Sequence, residues 1–373
     1  MQTRMLKFRL YPNAGQRQVL EQILEDCRHV YNQLLTIHRS VYKEMGRTMS
    51  QYGLNRKLTE LKHGVSSISE IHSQVLQNIS KRIRDAYHGF FVRRKLGLKA
   101  GLPRFKKYGR YKSFTYPQSG FKIEGKKLFL SKIGRVSIKL HRPIRGAVKT
   151  LTVKRMPSGK WFAIFSCEVK IEPKERSKGA VGIDVGLRHF LTGSEGRQVE
   201  NPKFYQKTLK RIRVEHKKLS RKKKGSKNLG KQRVMLARAY EKIVNQRDDF
   251  LHKLSKFYTQ HYSLIAVEDL KITNMVKNHN LAGKILDASW GKFLQMLSYK
   301  AEGAGGIVLK VNPRNTSRIY KHGELDRDYN ASLNILERGL SRQGLPLEPV
   351  EIEPLLVEIP ASSIVEAGSH STC

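Results

Sequence analysis

Cysteine is scarce in this chain. Cys27, Cys167 and Cys373 lie far apart among 373 residues and never form a C-x-x-C pair. That count argues against a disulfide framework and against a four-thiolate zinc site. Cys27 and Cys167 read instead as small buried apolar residues in reduced surroundings. Long apolar runs are missing as well. None approaches the roughly 20 residues of a membrane span, and Met1–Phe8 has no signal-peptide-like apolar region. The expectation is a cytoplasmic, nucleoid-associated protein without a membrane partner.

Acid is also in short supply. Asp and Glu number 31 against 72 Lys and Arg, a net charge of +41. Solubility needs far less, so the excess points to a polyanion. Nucleic acid comes first, because the cations run through most of the chain. An anionic membrane surface fits less well, since no long basic helix carries a Trp-rich face. The 39% hydrophobic and 8% aromatic content describes a folded protein. Its length allows two or three domains.

Because acids are few, their positions carry information. Three acidic segments follow one another in the second half: Val181–Leu187 around Asp184, Ile265–Leu270 around Glu268, and Leu325–Ala331 around Asp328. The first two end apolar, β-prone runs, and the third opens a helical stretch. Carboxylates at the ends of buried strands are costly unless they hold a cation. In-line phosphodiester hydrolysis needs an activated water and a stabilised leaving oxygen. Two divalent cations about 4 Å apart supply both, and carboxylates must hold them. Asp184, Glu268 and Asp328 are therefore the candidate catalytic and Mg²⁺ (or Mn²⁺) ligands, with Asp326 as the lesser alternative to Asp328. Gly182 and Gly186 are expected to leave room for phosphate beside Asp184.

Periodicity divides the rest. Residues 4–10 alternate as a strand. From Ala14 to about Arg94 apolar residues recur at helical spacing, Val19 and Leu20 through Leu35 first. Residues 113 to about 172 are short strands separated by turns, which suggests a small barrel completed by the N-terminal strand. Strands and helices then alternate around the acids, an α/β domain. It includes two strands at 179–195, a charged helical stretch at about 203–260, a buried strand at 263–268, and helical runs from Ala288 and Tyr329. Trp290 reads as a core anchor. The tail from about Ser341 is acidic and is expected to be poorly ordered.

Two basic stretches stand out. Lys217, Lys218, Arg221, Lys222, Lys223 and Lys224 form a run that would repel itself as a plain solvated face, and it suits phosphate-backbone contact. Around Arg104, Lys106 and Lys107, aromatic residues interleave with cations, as stacking on bases requires. Gln74, Gln77 and Lys81 share a helical segment whose side chains could reach base edges.

The ordered markers Gly182–Leu187, Ala237–Ile243, Asn245–Arg247, His252–Ser255, Val267–Leu270, Val311–Ser317 and Asp326–Ala331 resemble the TnpB family of transposon-encoded proteins, relatives of type V CRISPR effector nucleases. The resemblance covers roughly residues 1–340. It implies a multidomain α/β protein: a RuvC/RNase H-like nuclease domain plus a wedge β-barrel with an inserted helical recognition lobe. The corresponding division is 1–12 (first wedge strand), 13–112 (helical lobe), 113–175 (wedge), 176–340 (nuclease domain, helical insertion about 203–260) and 341–373 (tail). It implies an RNA-guided DNA endonuclease with a guide RNA and target DNA as partners, and Asp184, Glu268 and Asp328 match the RuvC triad. One departure stands out. Relatives carry a cysteine-rich zinc ribbon where this chain has a short cysteine-free join near 318–324, so no zinc is expected. A nuclease-impaired RNA-guided DNA-binding protein, or a decayed transposon accessory protein, is the alternative.

Overall fold

The computed structural model describes residues 1–64, 66–170, 179–317 and 325–342. The chain packs as two units, 1–170 with 215–238, and 171–214 with 239–373. The expected tail (beyond 342), the join at 318–324 and the boundary near 175 lie outside the described residues.

The first unit begins with β1 (Gln2–Tyr11), and α1 (Ala14–Met45) follows at once. Asn13 starts this helix through a capping box. Its Oδ1 accepts from the Gln16 N–H at 2.8 Å, and Gln16 Oε1 accepts from the Asn13 N–H at 3.2 Å. Gly46, at φ 66°, ends it. The buried stripe is Leu20, Ile23, Leu24, Cys27, Val30, Tyr31, Leu34 and Leu35. Val19, expected on this face, is instead exposed. It lies about 100° from Leu20 around the helix and so falls outside the stripe. Helices α2 (Gln51–Gly64), α3 (Ser66–Ser69) and α4 (Ser73–Lys95) complete the lobe.

Six short strands follow: β2 (Ser113–Tyr116), β3 (Phe121–Glu124), β4 (Lys127–Leu130), β5 (Gly134–Lys139), β6 (Ala147–Arg155) and β7 (Trp161–Val169). They join β1 in one seven-stranded, barrel-like sheet of order β2-β6-β7-β1-β5-β4-β3. The N-terminal strand thus lies mid-sheet, antiparallel to β7 (Leu6 opposite Phe165) and to β5 (Leu10 opposite Ile138). Phe8, Leu10, Trp161 and Phe165 meet the apolar stripes of α1 and α4 in one core.

The second unit is built on β8 (Ala180–Asp184), β9 (His189–Gly193), β10 (Gln198–Glu200), β11 (Leu264–Glu268) and β12 (Ile307–Val311). Their order is β10-β9-β8-β11-β12. β8 runs antiparallel to β9 and parallel to β11, which runs parallel to β12. Numbered within the unit, that is 3-2-1-4-5, the RNase H-like arrangement. Between the strands in sequence lie α5 (Phe204–Ser220) and α6 (Lys227–His261), whose 215–238 stretch groups with the first unit, then α7 (Ile272–Met275), α8 (His279–Ala288) and α9 (Trp290–Ala304), and α10 (Arg327–Arg342) closes the fold. Periodicity predicts neither the short β10 nor α8, and it starts the helix at Ala288. Asn278 in fact caps an earlier helix, and Ser289, left-handed at φ 58°, divides α8 from α9.

Alternation along the strands decides which helix each face meets. Val181, Ile183, Ile265 and Val267 face Leu254, Tyr258, Trp290, Phe293 and Leu297. Leu264, Ala266 and Val311 pack with Ile335 of α10. On that face α10 lies almost backbone to backbone on the sheet. A Cβ at Gly182 would stand 2.1 Å from the Ser332 carbonyl oxygen, and one at Gly339 would stand 2.6 Å from Ala266 Cβ. Gly182 therefore makes room for a helix, not for phosphate. Gly182→Val should destabilise the second unit by about 3 kcal/mol. Each unit holds one of the two tryptophans, so Trp290 fluorescence in a Trp161→Phe background reads this directly. An unmoved denaturation midpoint would refute the close-contact account.

Candidate active site

Asp184 ends β8 and Glu268 ends β11. These strands pair in parallel with Ile183 opposite Val267, so the two acids stand side by side at the carboxyl ends. By alternation both are on the α10 face. Asp328 lies in the first turn of α10, and its Oδ2 would be 3.9 Å from a Cβ at Gly186. Three segments far apart in sequence thus bring their acids to one end of the sheet.

The electrostatics report the same proximity. The Asp184 carboxyl is pushed up to about 7 by burial first, then by the negative charges of Glu268 and Asp328. Burial also raises Glu268, partly offset by the hydroxyl of Thr316 and the charge of Arg338. Protein donors already hold two of the carboxylates. Thr316 Oγ1 donates to Glu268 Oε1 at 2.5 Å, and Arg327 Nη2 is 3.2 Å from Asp328 Oδ1. Among the described residues, no three His, Cys, Asp or Glu side chains stand close enough, as they are placed, to hold a metal ion. The acids are neighbours without being gathered around one point.

Their own neighbours sort the ambiguous acids. Asp326 is a helix cap: its Oδ1 accepts from the Asp328 and Tyr329 N–H groups at 3.0 and 3.3 Å. Asp269 is exposed and paired with Lys310 at 3.1 Å. Sequence reasoning gave no role to Thr316 or Asn334, though Thr316 stands in a family marker. Asn334, buried on α10, donates from Nδ2 to the Thr316 carbonyl at 2.8 Å. Arg338 Nη1 donates to the carbonyls of Asn312 and Arg314 at 2.7 and 2.8 Å. Together they fix the segment that orients Glu268. Two Asn one helical turn apart, Asn330 and Asn334, among Ala331, Leu333, Ile335 and Leu336 were the available signal.

The candidate nucleic-acid residues fall into two kinds. Lys217, Lys218, Arg221, Lys222, Lys223 and Lys224, at the end of α5 and in the turn to α6, are all exposed. Of these, Lys218 reaches Glu215 at 3.6 Å. Arg104, Lys106 and Lys107 lie in an irregular strap held on α1. The Asn32 side chain accepts from the Lys106 N–H and donates to its carbonyl, which Arg28 also reaches. Arg104 and Lys107 are exposed, whereas Lys106 is half-buried with Nζ 5.5 Å from the Tyr31 ring centroid. On α4, Gln77 and Lys81 are exposed. Gln74 is occupied: its Oε1 accepts from the Ser119 N–H at 2.9 Å.

An RNase H-like sheet with acids at two strand ends and on the helix across them defines a RuvC-like nuclease domain within a multidomain α/β protein. Comparisons with known proteins carry this further. A family described as "Probable transposase" matches residues 164–279, a "Helix-turn-helix domain" matches 1–47, and a "Cas12f1-like, TNB domain" matches 290–335. In this chain the 1–47 span is one strand and one long helix. A Streptomyces pristinaespiralis protein named "Putative RNA-guided DNA endonuclease" is 32% identical over 91% of this chain and 90% of its own. A relative of the same description from Escherichia coli K12, InsQ, is 33% identical over 84% and 81%. In fold, the chain is similar to Cas12f1 from a complex with guide RNA and target DNA (TM-score 0.56, 13% identity, 90% of this chain and 98% of that one). The chain belongs to the TnpB family of RNA-guided DNA endonucleases. No described helix is long and apolar enough to cross a membrane.

Two outcomes follow from this geometry. Asp184 binds its proton more tightly folded (about 7) than at its ordinary 3.8. Its contribution to stability is therefore full below about pH 4 and is lost as pH rises through about 7. In EDTA the second unit should weaken by up to roughly 4 kcal/mol across that window, and Asp184→Asn should flatten the slope. Equal slopes in the two proteins would contradict the burial account. Thr316→Val should cut cleavage about tenfold or more, with Thr316→Ser restoring it. A Val variant as active as the parent would mean that Glu268 needs no such partner.

Proposed function

We propose that this chain is a Mg²⁺- or Mn²⁺-dependent, RNA-guided DNA endonuclease, with Asp184, Glu268 and Asp328 as the ligands of the cations. The observation that carries this is the convergence of three acids from distant segments at one end of the sheet. A carboxyl that burial first and two neighbouring acids second keep protonated to about pH 7 belongs to a set of hard oxygen donors that a divalent cation would relieve. The chemistry that such cations supply is a more acidic water and a stabilised leaving 3′-oxygen.

The chain's own residues do the positioning. β8 and β11 fix Asp184 and Glu268 side by side, Thr316 holds one Glu268 oxygen, and Asp326 caps the turn that carries Asp328. Lys217 to Lys224 and the Arg104 to Lys107 strap suit contact with phosphates, which fixes register without reading sequence. Pairing between a bound RNA and the target strand supplies the sequence specificity.

The test uses the protein purified with its co-expressed RNA, assayed on a plasmid in Mg²⁺. Asp184→Ala, Glu268→Gln and Asp328→Asn should each lower cutting by about a thousandfold or more. Asp326→Asn keeps a capping side chain and should cut within about twofold of the parent. Because bound cation displaces the Asp184 proton, half-saturating Mg²⁺ should rise about tenfold per pH unit below about 7. Undiminished cutting by Asp184→Ala would end the assignment, and cutting that survives removal of the RNA would end its guided part.

A further inference from the structure

A cavity of about 470 Å³ opens in the second unit, within the roughly 300–1,000 Å³ of small-ligand sites. Its walls are Leu187 and Arg188 of the β8–β9 turn, Asn201 and Lys203 just before α5, Gln206 in the first turn of α5, and Lys284 of α8. Arg188, Lys203 and Lys284 are exposed. Asp287 is the one acid in the lining, and it is already committed. Arg247 reaches its Oδ1 at 2.7 Å, and the Tyr205 and Gln206 N–H groups donate to its Oδ2 at 3.0 and 3.4 Å. The cavity is therefore concave and presents three cations that its own acid does not neutralise.

Its rim is built, not loose. Asn201 donates from Nδ2 to the Leu187 carbonyl at 3.2 Å and accepts from the Lys203 N–H at 3.2 Å. Lys203 itself sits at φ 48°, a backbone conformation that a lysine adopts only when its surroundings demand it. Leu187 adds an apolar wall, and the exposed Gln206 adds an amide able to meet a base edge.

We infer that this cavity seats one nucleotide of single-stranded DNA beside the acid cluster, its phosphate among Arg188, Lys203 and Lys284 and its base against Leu187 and Gln206. The choice of DNA rests on the nuclease reading above. Arg188 is four residues after Asp184, and the turn that joins them brings Gly186 beside Asp328. The turn therefore joins two cavity residues, Leu187 and Arg188, to the segment that carries Asp184 and meets Asp328. A cavity of this size admits an unstacked nucleotide and not a duplex, so the strand must be single.

The experiment takes the Asp184→Ala protein with its copurified RNA. A short single-stranded DNA carrying one photoreactive thymidine analogue is cross-linked to it, and the sites are mapped by peptide sequencing. Cross-links should fall in the peptide spanning Leu187 to Gln206. Their yield should drop at least fivefold when Arg188, Lys203 and Lys284 are all changed to alanine. These side chains are exposed, and circular dichroism checks that the fold is unchanged. The slope of log affinity against log salt should become shallower by about 2, three phosphate-directed cations at roughly 0.7 each. Cross-links only at other sites, cross-links that survive the triple substitution, or occupancy of this peptide by the copurified RNA would each overturn the inference. If DNA cross-links here while the unsubstituted protein fails to cut in Mg²⁺, the inference stands and the nuclease reading falls.

Discussion

The contact between the backbone of α10 and the floor of the sheet is the constraint on which the site depends. Gly182 and Ala266 offer no side-chain bulk, so the helix settles against β8 and β11 at its Ser332 and Gly339 positions. Only from that depth does its first turn bring Asp328 beside the β8–β9 turn. A larger residue at 182 would lift the helix and carry Asp328 away from Asp184 and Glu268. The third acid is thus placed by the absence of atoms two residues before the first.

Holding three carboxylates together is unfavourable, and the chain spreads the cost. Asp184 keeps its proton to about pH 7. Glu268 has the least solvent-accessible surface of the three, and it has a hydroxyl partner and a cation nearby. Asp328 is paired with the adjacent Arg327. The Thr316, Asn334 and Arg338 network spends several buried or half-buried polar groups on one glutamate. Nothing in the hydrophobic core requires it. Local arrangements that oppose folding are expected where a protein has to do chemistry.

The fold class was legible because amphipathic periods are local. The α1 stripe, the short strands of the first unit and the apolar runs before Asp184 and Glu268 are patterns within ten to thirty residues. The acids themselves were legible because charge of that sign is rare in this chain and sits where strands end. The long-range features were not. Nothing near Met5 or Leu6 announces that their strand lies between two others more than 120 residues away. Gly182 read as space for a ligand because sequence cannot show that a helix 150 residues later fills it. The link from Asp287 to Arg247 joins residues 40 apart, and neither had a periodic or motif signal for the other. What the sequence concealed were contacts between segments, and the cavity beside Asp287 is made of such contacts.

A surplus of +41 suggests a uniformly adhesive surface, but the structure divides the cations. Some are consumed by the fold. Arg82 donates to Asn78 Oδ1, the Ser113 carbonyl and Thr115 Oγ1. Arg28 and Arg39 tie the 99–112 strap to α1 through the carbonyls of Lys106 and Pro103. Arg338 holds the segment beside Glu268. Guanidinium groups do this work because their fixed fork satisfies several carbonyls at once. The exposed run from Lys217 to Lys224 is mostly lysine, a flexible point charge that asks for no particular geometry. Several of the residues that hold the scaffold are thus arginines with named partners, whereas the densest run offered to solvent is mostly lysine, suited to a phosphate backbone of any sequence. That division fits a protein whose specificity comes from a bound nucleic acid and not from its own side chains.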